Sequence, residues 1–454
     1  MRETMDVHSK DEQTWSTKLK RIGERSKHDR DTVFNNIGSV IDLDMLRATY
    51  HSLEDNKASG LDNMTKEKYG TKLEENLKNL LLKIRRGTYQ PQATRMVEIP
   101  KEDGSTRPLA ISCLEDKIVQ KAVNIVLGTI YEPLFLPCSY GFRPEQSCHD
   151  ALKSLMSSTC KYPYGAVVEI DIRKYFNSIP LKELNEILRQ KITDTRFLHL
   201  LQKLITAPSK VGEKLIANDR GCPQGSIISP ILANVYLHHV IDEWFESIKV
   251  THFTGEAELI RYADDMVFVF ENRLEAEKFF RVLPKRLQKF GLDMHADKSS
   301  LIPSGSAAAR YAYSKGKRLG TYNFLGFTCY WGLARNRKWW RLKFKSRRDR
   351  FTAKLKGLKK YLSENLTSSD TNFILKRVTR VVQGWINYHG ISDNDRRVRG
   401  FIMAAKHTLL KWFRRRGSRK KTSWYRFNLL LKQAGFPERW KTKSMFPNPN
   451  VAKA

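Results

Sequence analysis

The spacing of apolar residues divides the chain into a mixed N-terminal part and an all-helical C-terminal part. Between about residues 37 and 330, short apolar runs with strand composition alternate with segments whose apolar residues recur every three or four positions. Beyond about residue 345 only the helical spacing continues, for example at Phe351, Leu355 and Leu358. Strands and helices mixed in this way, with signals for antiparallel hairpins, predict an α+β fold rather than a doubly wound one.

Individual elements follow from the same patterns. We predict helices within 37–89, interrupted by a glycine-bearing loop at 56–62, and over 114–135, 181–207, 226–247 and 274–290. The predicted strands are 96–101 and 107–111, which form a hairpin, 166–171, two strands within 259–270, and 322–329. Residues 1–36 are charged and weakly patterned, so we expect a mobile arm or a short helix there.

Acidic residues stand at the ends of two predicted strands. Asp264 and Asp265 occupy the tight turn between two apolar strands, and Asp171 ends the strand 166–171. Mg²⁺ prefers oxygen ligands and often joins one or two carboxylates to substrate phosphates. Together the three carboxylates predict a two-metal site for in-line phosphoryl transfer. An isolated Asp-Asp pair is also ordinary turn chemistry, and this alternative stays open on the pair alone.

Composition narrows the class of protein. The 454 residues include 41% hydrophobic and 11% aromatic residues, so we expect two or three folded domains. We find no apolar run long enough to span a membrane, no secretory signal and no transit peptide. Six scattered cysteines without CxxC pairing fit reduced thiols of a cytoplasmic protein better than a zinc site or a disulfide framework.

The net charge of +33 lies almost entirely in the C-terminal third. Residues 311–454 contain 36 Lys and Arg against 6 Asp and Glu, which leaves 45 basic and 42 acidic residues before them. Such a field attracts polyanions, and phosphate binding releases counterions. Anionic membranes are the rival partner, but the sequence has no amphipathic anchor or lipidation signal. Nucleic acid is therefore the favoured partner.

Cations alternate with aromatic residues in this basic part, a pattern typical of binding phosphates and unpaired bases. A charge run can also be a solvated helix face, but tryptophans among the charges make that reading insufficient. The candidate nucleic-acid contacts are Arg143, Arg337, Trp339, Trp340, Arg341, Lys343, Arg347, Arg348, Lys411, Arg414, Arg415, Arg416, Lys420 and Lys421.

Seven motifs occur in one order along the chain. They are IPKEDGSTRP at 99–108, SYGFRP at 139–144, EIDIRKYF at 169–176, PQG at 223–225, YADD at 262–265, the segment 291–299, and FLGF at 324–327. This ordered set resembles the reverse transcriptases encoded by group II introns, and GWINYHG at 384–390 resembles their maturase region, domain X. The resemblance covers about residues 40–440.

The resemblance implies a right-hand polymerase with a helical extension. Its expected parts are an N-terminal arm (1–36), an N-terminal extension and fingers (37–165), a palm with the catalytic aspartates (166–330), a thumb or domain X (345–410) and a basic nucleic-acid-binding tail (411–454). The implied activity is RNA-directed DNA polymerisation. The Cys-pair zinc motifs of the endonuclease in larger relatives are not found, so we expect that domain to be lacking.

The resemblance also implies roles for single residues. Asp171 and Asp264 would bridge two Mg²⁺ ions, with Asp265 completing the acidic cluster and the Ile172 carbonyl as a further ligand. The other implied roles are triphosphate binding by Lys101 and Arg107, exclusion of the 2′-hydroxyl by Phe176, and primer support by Phe324, Leu325 and Gly326. Gln224 would border the nucleotide pocket, and Lys298 would approach the phosphates or the catalytic aspartates. For Lys101 and Arg107 a solvated charged hairpin remains an alternative, and for Phe176 ordinary core packing does.

The implied partners are an RNA template with a DNA primer, dNTPs, the parent group II intron RNA and target DNA, in a cytoplasmic ribonucleoprotein of bacterial type. The chain departs from the usual pattern at Asn177 and Ser226, neither of which is expected to bind metal. Two alternatives stay open. One is a relative recruited by its host for defence or DNA repair, and the other is an RNA-binding maturase with vestigial polymerase activity.

Overall fold

The structure is a computed structural model that describes residues 3–100, 106–334, 337–368, 370–416 and 423–446, with side chains from residue 15 onward. Helices and β-sheets are mixed through the first three quarters of the chain, and the remainder is helical. The predicted mixture of helix and sheet is therefore confirmed.

The helices of the described residues, in chain order, are α1 (Glu3–His28), α2 (Leu43–Ser52), α3 (Lys66–Gly70), α4 (Leu73–Arg85), α5 (Leu114–Tyr131), α6 (Cys148–Lys161), α7 (Tyr175–Ser178), α8 (Leu181–Arg189), α9 (Thr195–Ile205), α10 (Ser229–Leu237), α11 (Glu243–His252), α12 (Arg273–Lys289), α13 (Ser306–Ser314), α14 (Arg348–Glu364), α15 (Thr371–His389), α16 (Asp395–Arg415) and α17 (Trp424–Gln433). A π-helical turn, His238–Asp242, joins α10 to α11.

The strands are β1 (Thr94–Pro100), β2 (Thr106–Ile111), β3 (Gly165–Ile170), β4 (Ser209–Val211), β5 (Lys214–Ile216), β6 (Ala257–Tyr262), β7 (Asp265–Phe270), β8 (Ser300–Ser304), β9 (Tyr322–Phe324), β10 (Phe327–Leu333) and β11 (Trp340–Ser346). They form three sheets with the orders β2-β1-β4-β5, β6-β7-β3-β8 and β11-β10-β9. The sheet β6-β7-β3-β8, called the central sheet below, is antiparallel throughout.

The two inner strands of the central sheet, β3 and β7, are buried on both faces, which explains why they read as almost continuous apolar runs. Successive side chains of a strand point to opposite faces. Phe268 and Phe270 of β7 accordingly join the core around α12, whereas Val267 and Val269 join a second core beneath α6. Burial on both faces fixes the register, since a shift by one residue would exchange the two sets.

The strand predicted over 322–329 is a hairpin instead. Strands β9 and β10 pair with Phe324 opposite Phe327, and Leu325 and Gly326 between them have φ values of 48° and 77°. A two-residue turn with positive φ at both central positions suits the twist of a hairpin. The FLGF motif therefore ends one strand and begins the next, and its apolar composition hid the turn.

Several other elements differ from the pattern-based prediction. Strands β4, β5, β8 and β11 were not predicted, and the helix predicted over 181–207 is divided into α8 and α9. The segment predicted as a mobile arm or a short helix contains the 26-residue helix α1. Leu19 of this helix is buried, and the Ser26 hydroxyl donates to the carbonyl of Ile130 at 2.6 Å. Contact with α5 thus orders a segment whose own apolar pattern is weak.

The C-terminal helices share one core. Leu358, Val378 and Phe401 from α14, α15 and α16 pack together with Phe427 and Leu431 from α17. The boundary predicted at residue 410 falls within α16, so the basic tail begins inside this core. Within the described residues, no helix is both long and apolar enough to cross a membrane. All six cysteines are described and none forms a disulfide.

Candidate active site

The turn between β6 and β7 carries Asp264, as predicted, whereas Asp265 is the first residue of β7. Tyr262 pairs with Asp265, so Ala263 and Asp264 are the two turn residues, and Ala263 has a φ of 56°. The backbone of Gly141 packs directly on this turn, where a Cβ would collide with the backbone nitrogen of Ala263. Glycine is thus required at 141 for the SYGFRP motif to support the turn.

Asp171 follows the last residue of β3. Ile170 pairs with Met266, and one further step in that register brings Asp171 opposite Asp265. The Asp171 carbonyl accepts the backbone N–H of His295 at 2.8 Å, which holds the strand end. Lys298 Nζ lies 3.2 Å from Asp171 Oδ2, so the predicted approach of Lys298 to an aspartate is seen in the geometry.

The carboxylates interact electrostatically. Burial raises the pKa of Asp264, the negative charge of Asp171 raises it further, and the guanidinium groups of Arg107 and Arg261 oppose this. Burial raises the pKa of Asp265 to about 7, and Asp264 adds to the shift. Such mutual repulsion between carboxylates is relieved by a bound cation.

The carboxylates fit a magnesium ion. Among the described residues, no three His, Cys, Asp or Glu side chains form a preassembled metal cage. Mg²⁺ does not need one, because it commonly takes one or two carboxylates together with substrate phosphates and water. The donors are all carboxylate oxygens, and the ammonium of Lys298 beside Asp171 shows that a cation fits at this position. Ile172 is buried beside them and forms a β-bridge with Met294.

A buried arginine, Arg261, donates hydrogen bonds to the acidic turn and to the residues that pack beneath it. Arg261 is fully buried, and its Nε and Nη2 donate to Asp242 Oδ1 and Oδ2 at 2.7 and 2.6 Å. Its Nη1 donates to Asn234 Oδ1 at 3.0 Å and to the Ala263 carbonyl at 3.3 Å. Its Nη2 also donates to the Ser139 hydroxyl at 2.8 Å. Although burial opposes ionisation, Arg261 holds the pKa of Asp242 below its ordinary value.

The first sheet faces this site through β2. Arg107 is exposed on β2, and its positive charge reaches Asp264. The backbone N–H of Ala110 donates to the Gln224 carbonyl at 2.7 Å, which ties β2 to the PQG motif. Gly225 follows with a φ of 104°, and a Cβ there would lie 2.6 Å from the Ala110 carbonyl oxygen. Lys101, predicted to act with Arg107, lies outside the described residues.

A cavity of about 170 Å³ opens between the first sheet and α7. Met96, Pro108, Asn177, Arg220 and Gln224 are among its lining residues. The Gln224 Oε1 atom is buried there without a hydrogen-bond partner in the described residues. A buried acceptor of this kind suits a polar ligand.

Phe176 is half-buried at the end of the segment that follows Asp171. Its ring makes edge contacts with Tyr175 and Phe142, with centroids 5.6 and 6.4 Å apart. Phe142 is 55% exposed and has a φ of 58°. Two aromatic rings therefore stand at the surface beside the acidic cluster.

The FLGF hairpin is bound to the acidic cluster. Asp265 Oδ2 accepts the backbone N–H of Leu325 at 3.3 Å, and Glu169 Oε1 accepts that of Asn323 at 3.2 Å. From the other side, the Tyr388 hydroxyl donates to the Leu325 carbonyl at 2.8 Å. Phe324, Leu325 and Gly326 are all buried, with the side chains of Tyr388 and Arg350 packed against Gly326.

The predicted nucleic-acid contacts divide by exposure. The exposed ones are Arg337, Trp339, Arg348, Lys411, Arg414 and Arg415, and the half-buried ones are Trp340, Lys343, Arg347 and Arg416. Lys420 and Lys421 lie outside the described residues.

Arg143 and Arg341 do not fit the predicted contact role. Arg143 is held by Glu132 at 2.8 Å, and Arg341 pairs with Asp393 at 2.8 Å while only 8% exposed. Both guanidinium groups are used in internal ion pairs. Trp412 is likewise buried in the helical core rather than available for stacking.

Sequence reasoning missed the residues behind the site, chiefly Arg261, Asp242, Asn234 and Glu169. A charged residue inside an otherwise apolar strand was the available signal for Arg261 and Glu169. Their partners could not be found in this way, because Asp242 reaches Arg261 only through the π-helical turn.

Comparisons with known proteins agree with this geometry. The family model described as reverse transcriptase (RNA-dependent DNA polymerase) matches residues 99–329, just over half of the chain. The chain is 34% identical over 237 residues to the group II intron-encoded protein LtrA of Lactococcus lactis subsp. cremoris, covering 51% of this chain and 39% of that protein.

Two further relatives extend the comparison. Protein YkfC of Escherichia coli K12 is 35% identical over 238 residues, covering 46% of this chain and 62% of that protein. The putative COX1/OXI3 intron 1 protein of Saccharomyces cerevisiae is 30% identical over 330 residues, covering 61% of this chain and 39% of that protein. The chain thus spans less than two thirds of the length of each. The predicted family resemblance is confirmed, and the chain belongs to the reverse transcriptase (RNA-dependent DNA polymerase) family.

Proposed function

We propose that the chain is an RNA-directed DNA polymerase of the group II intron type. The observation that carries the proposal is the meeting of Asp171, Asp264 and Asp265 at one end of the central sheet, within electrostatic reach of Arg107. In this proposal the central sheet is the palm, the sheet β2-β1-β4-β5 belongs to the fingers, and α14–α16 form the thumb or domain X.

Asp171 and Asp264 would hold Mg²⁺, with Asp265 beside them. The metal would supply electrostatic stabilisation of the attacking and leaving oxygens. In the reaction a bond forms between the primer 3′-oxygen and the α-phosphorus of a dNTP, while the bond to the β-phosphate oxygen breaks and pyrophosphate leaves.

The remaining side chains would bind and orient the substrates. Arg107 offers a planar pair of donors to the triphosphate, together with Lys101, which follows β1 in the sequence. The amide oxygen of Gln224, which has no hydrogen-bond partner in the described part of the chain, offers an acceptor on the nucleotide side. Phe176 would exclude a 2′-hydroxyl by steric clash. Lys298 would move between Asp171 and a phosphate oxygen.

The FLGF hairpin would support the primer end. Phe324, Leu325 and Gly326 are buried, and two carboxylates and Tyr388 hold the turn, so the hairpin is fixed in place. A rigid hairpin beside the carboxylates suits the positioning of a 3′-hydroxyl.

We further propose that the C-terminal helices bind RNA and assist splicing of the parent intron. The surplus of 36 basic over 6 acidic residues in 311–454 supports this, as does exposure of Arg348, Lys411 and Arg414. Target DNA would bind to the same basic part. A group II ribozyme sequence flanking the reading frame would support the intron role, and its absence would favour recruitment by the host.

Primer extension on poly(rA) with an oligo(dT) primer tests the polymerase. We expect incorporation of dTTP with Mg²⁺ and none with EDTA. Asp264→Asn removes a carboxylate charge with little change of shape, and we expect at least about a thousandfold loss of rate. The matched control is Asp31→Asn, because Asp31 is exposed and distant in sequence from Asp264. Undiminished synthesis by Asp264→Asn would overturn the site assignment.

RNA affinity distinguishes the alternative of a vestigial polymerase. Asp264→Asn should bind the template as tightly as the wild type, because the basic surfaces are untouched. A wild-type protein that binds RNA but extends no primer under any divalent metal would favour the pure binder.

A further inference from the structure

A long stretch of the chain carries only positive charge. From Lys298 to Arg348 there are thirteen Lys and Arg residues and no Asp or Glu. The stretch contains α13 and β11, and those two elements lie together: the rings of Tyr313 in α13 and of Trp340, the first residue of β11, have centroids 5.2 Å apart.

This place is remote from the acidic cluster. Helix α13 follows Ser304, which pairs with Gly165 at the opposite end of β3 from Asp171. A strand of this length extends about 20 Å. The connection after Leu333 likewise lies at the end of β10 opposite the FLGF turn. The surface is therefore separate from the proposed catalytic centre.

Aromatic rings are exposed among these cations. Tyr311, Tyr313 and Trp339 are 62%, 57% and 55% exposed. The ammonium of Lys315 lies 5.8 Å from the centre of the Tyr311 ring. Lys317 is exposed close by, beyond the C-terminus of α13. We call the five residues named in this paragraph the α13 patch.

A structural role accounts for only part of this arrangement. Cations near a helix C-terminus interact favourably with its dipole, which explains Lys315 and Lys317. It does not explain three large aromatic rings that are each more than half exposed. Rings and cations side by side are the combination that binds unpaired nucleotides, because rings stack on bases and cations neutralise the phosphates between them.

We infer that the α13 patch is a binding site for single-stranded RNA, separate from the catalytic cleft. The identity of this RNA, a template or an intron loop, rests on the proposed function. Duplex RNA would not satisfy the patch, because its base faces are stacked internally. Anionic membranes would neutralise the charge of the lysines but would offer no planar group on which the rings could stack.

Fluorescence anisotropy with a labelled twelve-nucleotide oligouridylate tests the inference. The full-length protein is first saturated with unlabelled RNA template–DNA primer duplex, so that the cleft is filled. We expect Tyr311→Ala to weaken oligonucleotide binding about tenfold or more, and Tyr311→Phe to retain it, since phenylalanine still stacks. Wild-type affinity in Tyr311→Ala would overturn the inference.

The lysines are tested by salt dependence. Removing two phosphate contacts with Lys315→Gln/Lys317→Gln should reduce the slope of log affinity against log salt by about 1.4. Lys278→Gln/Lys285→Gln, on the exposed face of α12, removes the same charge elsewhere and should leave the slope unchanged. Equal effects of both pairs would indicate general attraction only and overturn the site. Thermal unfolding verifies that each variant is folded.

Two further measurements separate the remaining possibilities. The patch variants are also tested for binding to vesicles of phosphatidylglycerol and phosphatidylcholine. If they bind these vesicles more weakly than the wild type but bind the oligonucleotide equally well, the surface is a membrane contact and the inference is wrong. Primer extension by the wild type is measured separately. A protein that shows the expected losses of oligonucleotide binding but extends no primer would support the α13 patch and overturn the proposed polymerase.

Discussion

The backbone N–H of Leu325 donates a hydrogen bond to Oδ2 of Asp265 across a distance of 3.3 Å. This contact joins the FLGF hairpin to the acidic pair, although the two are 60 residues apart in the chain. Asp265 therefore has a structural partner in addition to its proposed place in the metal site. The two roles can be separated by experiment.

The effect of replacing Asp265 on primer binding should depend on whether the new side chain can still accept a hydrogen bond. Asp265→Asn retains an acceptor oxygen for Leu325 but removes the charge, whereas Asp265→Ala removes both. Loss of a buried acceptor costs about 1–3 kcal/mol. We expect Asp265→Ala to raise the KM for primer–template by about tenfold and Asp265→Asn to leave it near the wild-type value, while both lower kcat. Equal KM values for the two variants would contradict the anchoring role.

Phe176 should determine the choice of sugar. Its half-buried ring is held by edge contacts with Tyr175 and Phe142. We expect Phe176→Val to raise the incorporation of ribonucleotides relative to deoxynucleotides by at least about tenfold, measured as the ratio of kcat/KM. Phe373→Val, at an exposed ring on α15, is the control. An unchanged ratio in Phe176→Val would favour the reading of Phe176 as core packing.

Breaking the buried ion pair should destabilise the fold. Arg261→Met leaves Asp242 buried without its cation, which costs about 3–5 kcal/mol in the free energy of unfolding. We expect the double variant Arg261→Met/Asp242→Asn to recover at least about 1 kcal/mol, since the orphaned charge is gone. Urea unfolding measures both. A double variant no more stable than Arg261→Met would argue against an ionised Asp242.

His389 should make stability depend on pH. Burial, assisted by the charge of Arg350, lowers the pKa of His389 to about 4, so it stays neutral when folded. The unfolded chain takes up a proton below about pH 6.5, and stability therefore falls as the pH drops from 6.5 towards 4. Between pH 7 and pH 5 the wild type should lose about 2 kcal/mol more than His389→Gln. Parallel losses in the two proteins would show that His389 does not titrate in this way.

Much of the candidate site could be predicted from the sequence because its parts are local. The turn at Asp264, the strand end at Asp171 and the β1–β2 hairpin each depend on a few neighbouring residues. Turn chemistry and alternation of apolar residues are sufficient to place such features. The basic C-terminal third is equally evident, since charge is a property of composition.

The sequence by itself thus determined the family, the acidic residues and the distribution of charge. Only the tertiary structure decided which cations are exposed: Arg348 faces solvent, whereas Arg143 and Arg341 are held in ion pairs. It also decided that Arg261 meets Asp242, and that the FLGF hairpin docks on Asp265. The physical reason is that burial and pairing are set by contacts between distant segments, which no local pattern encodes.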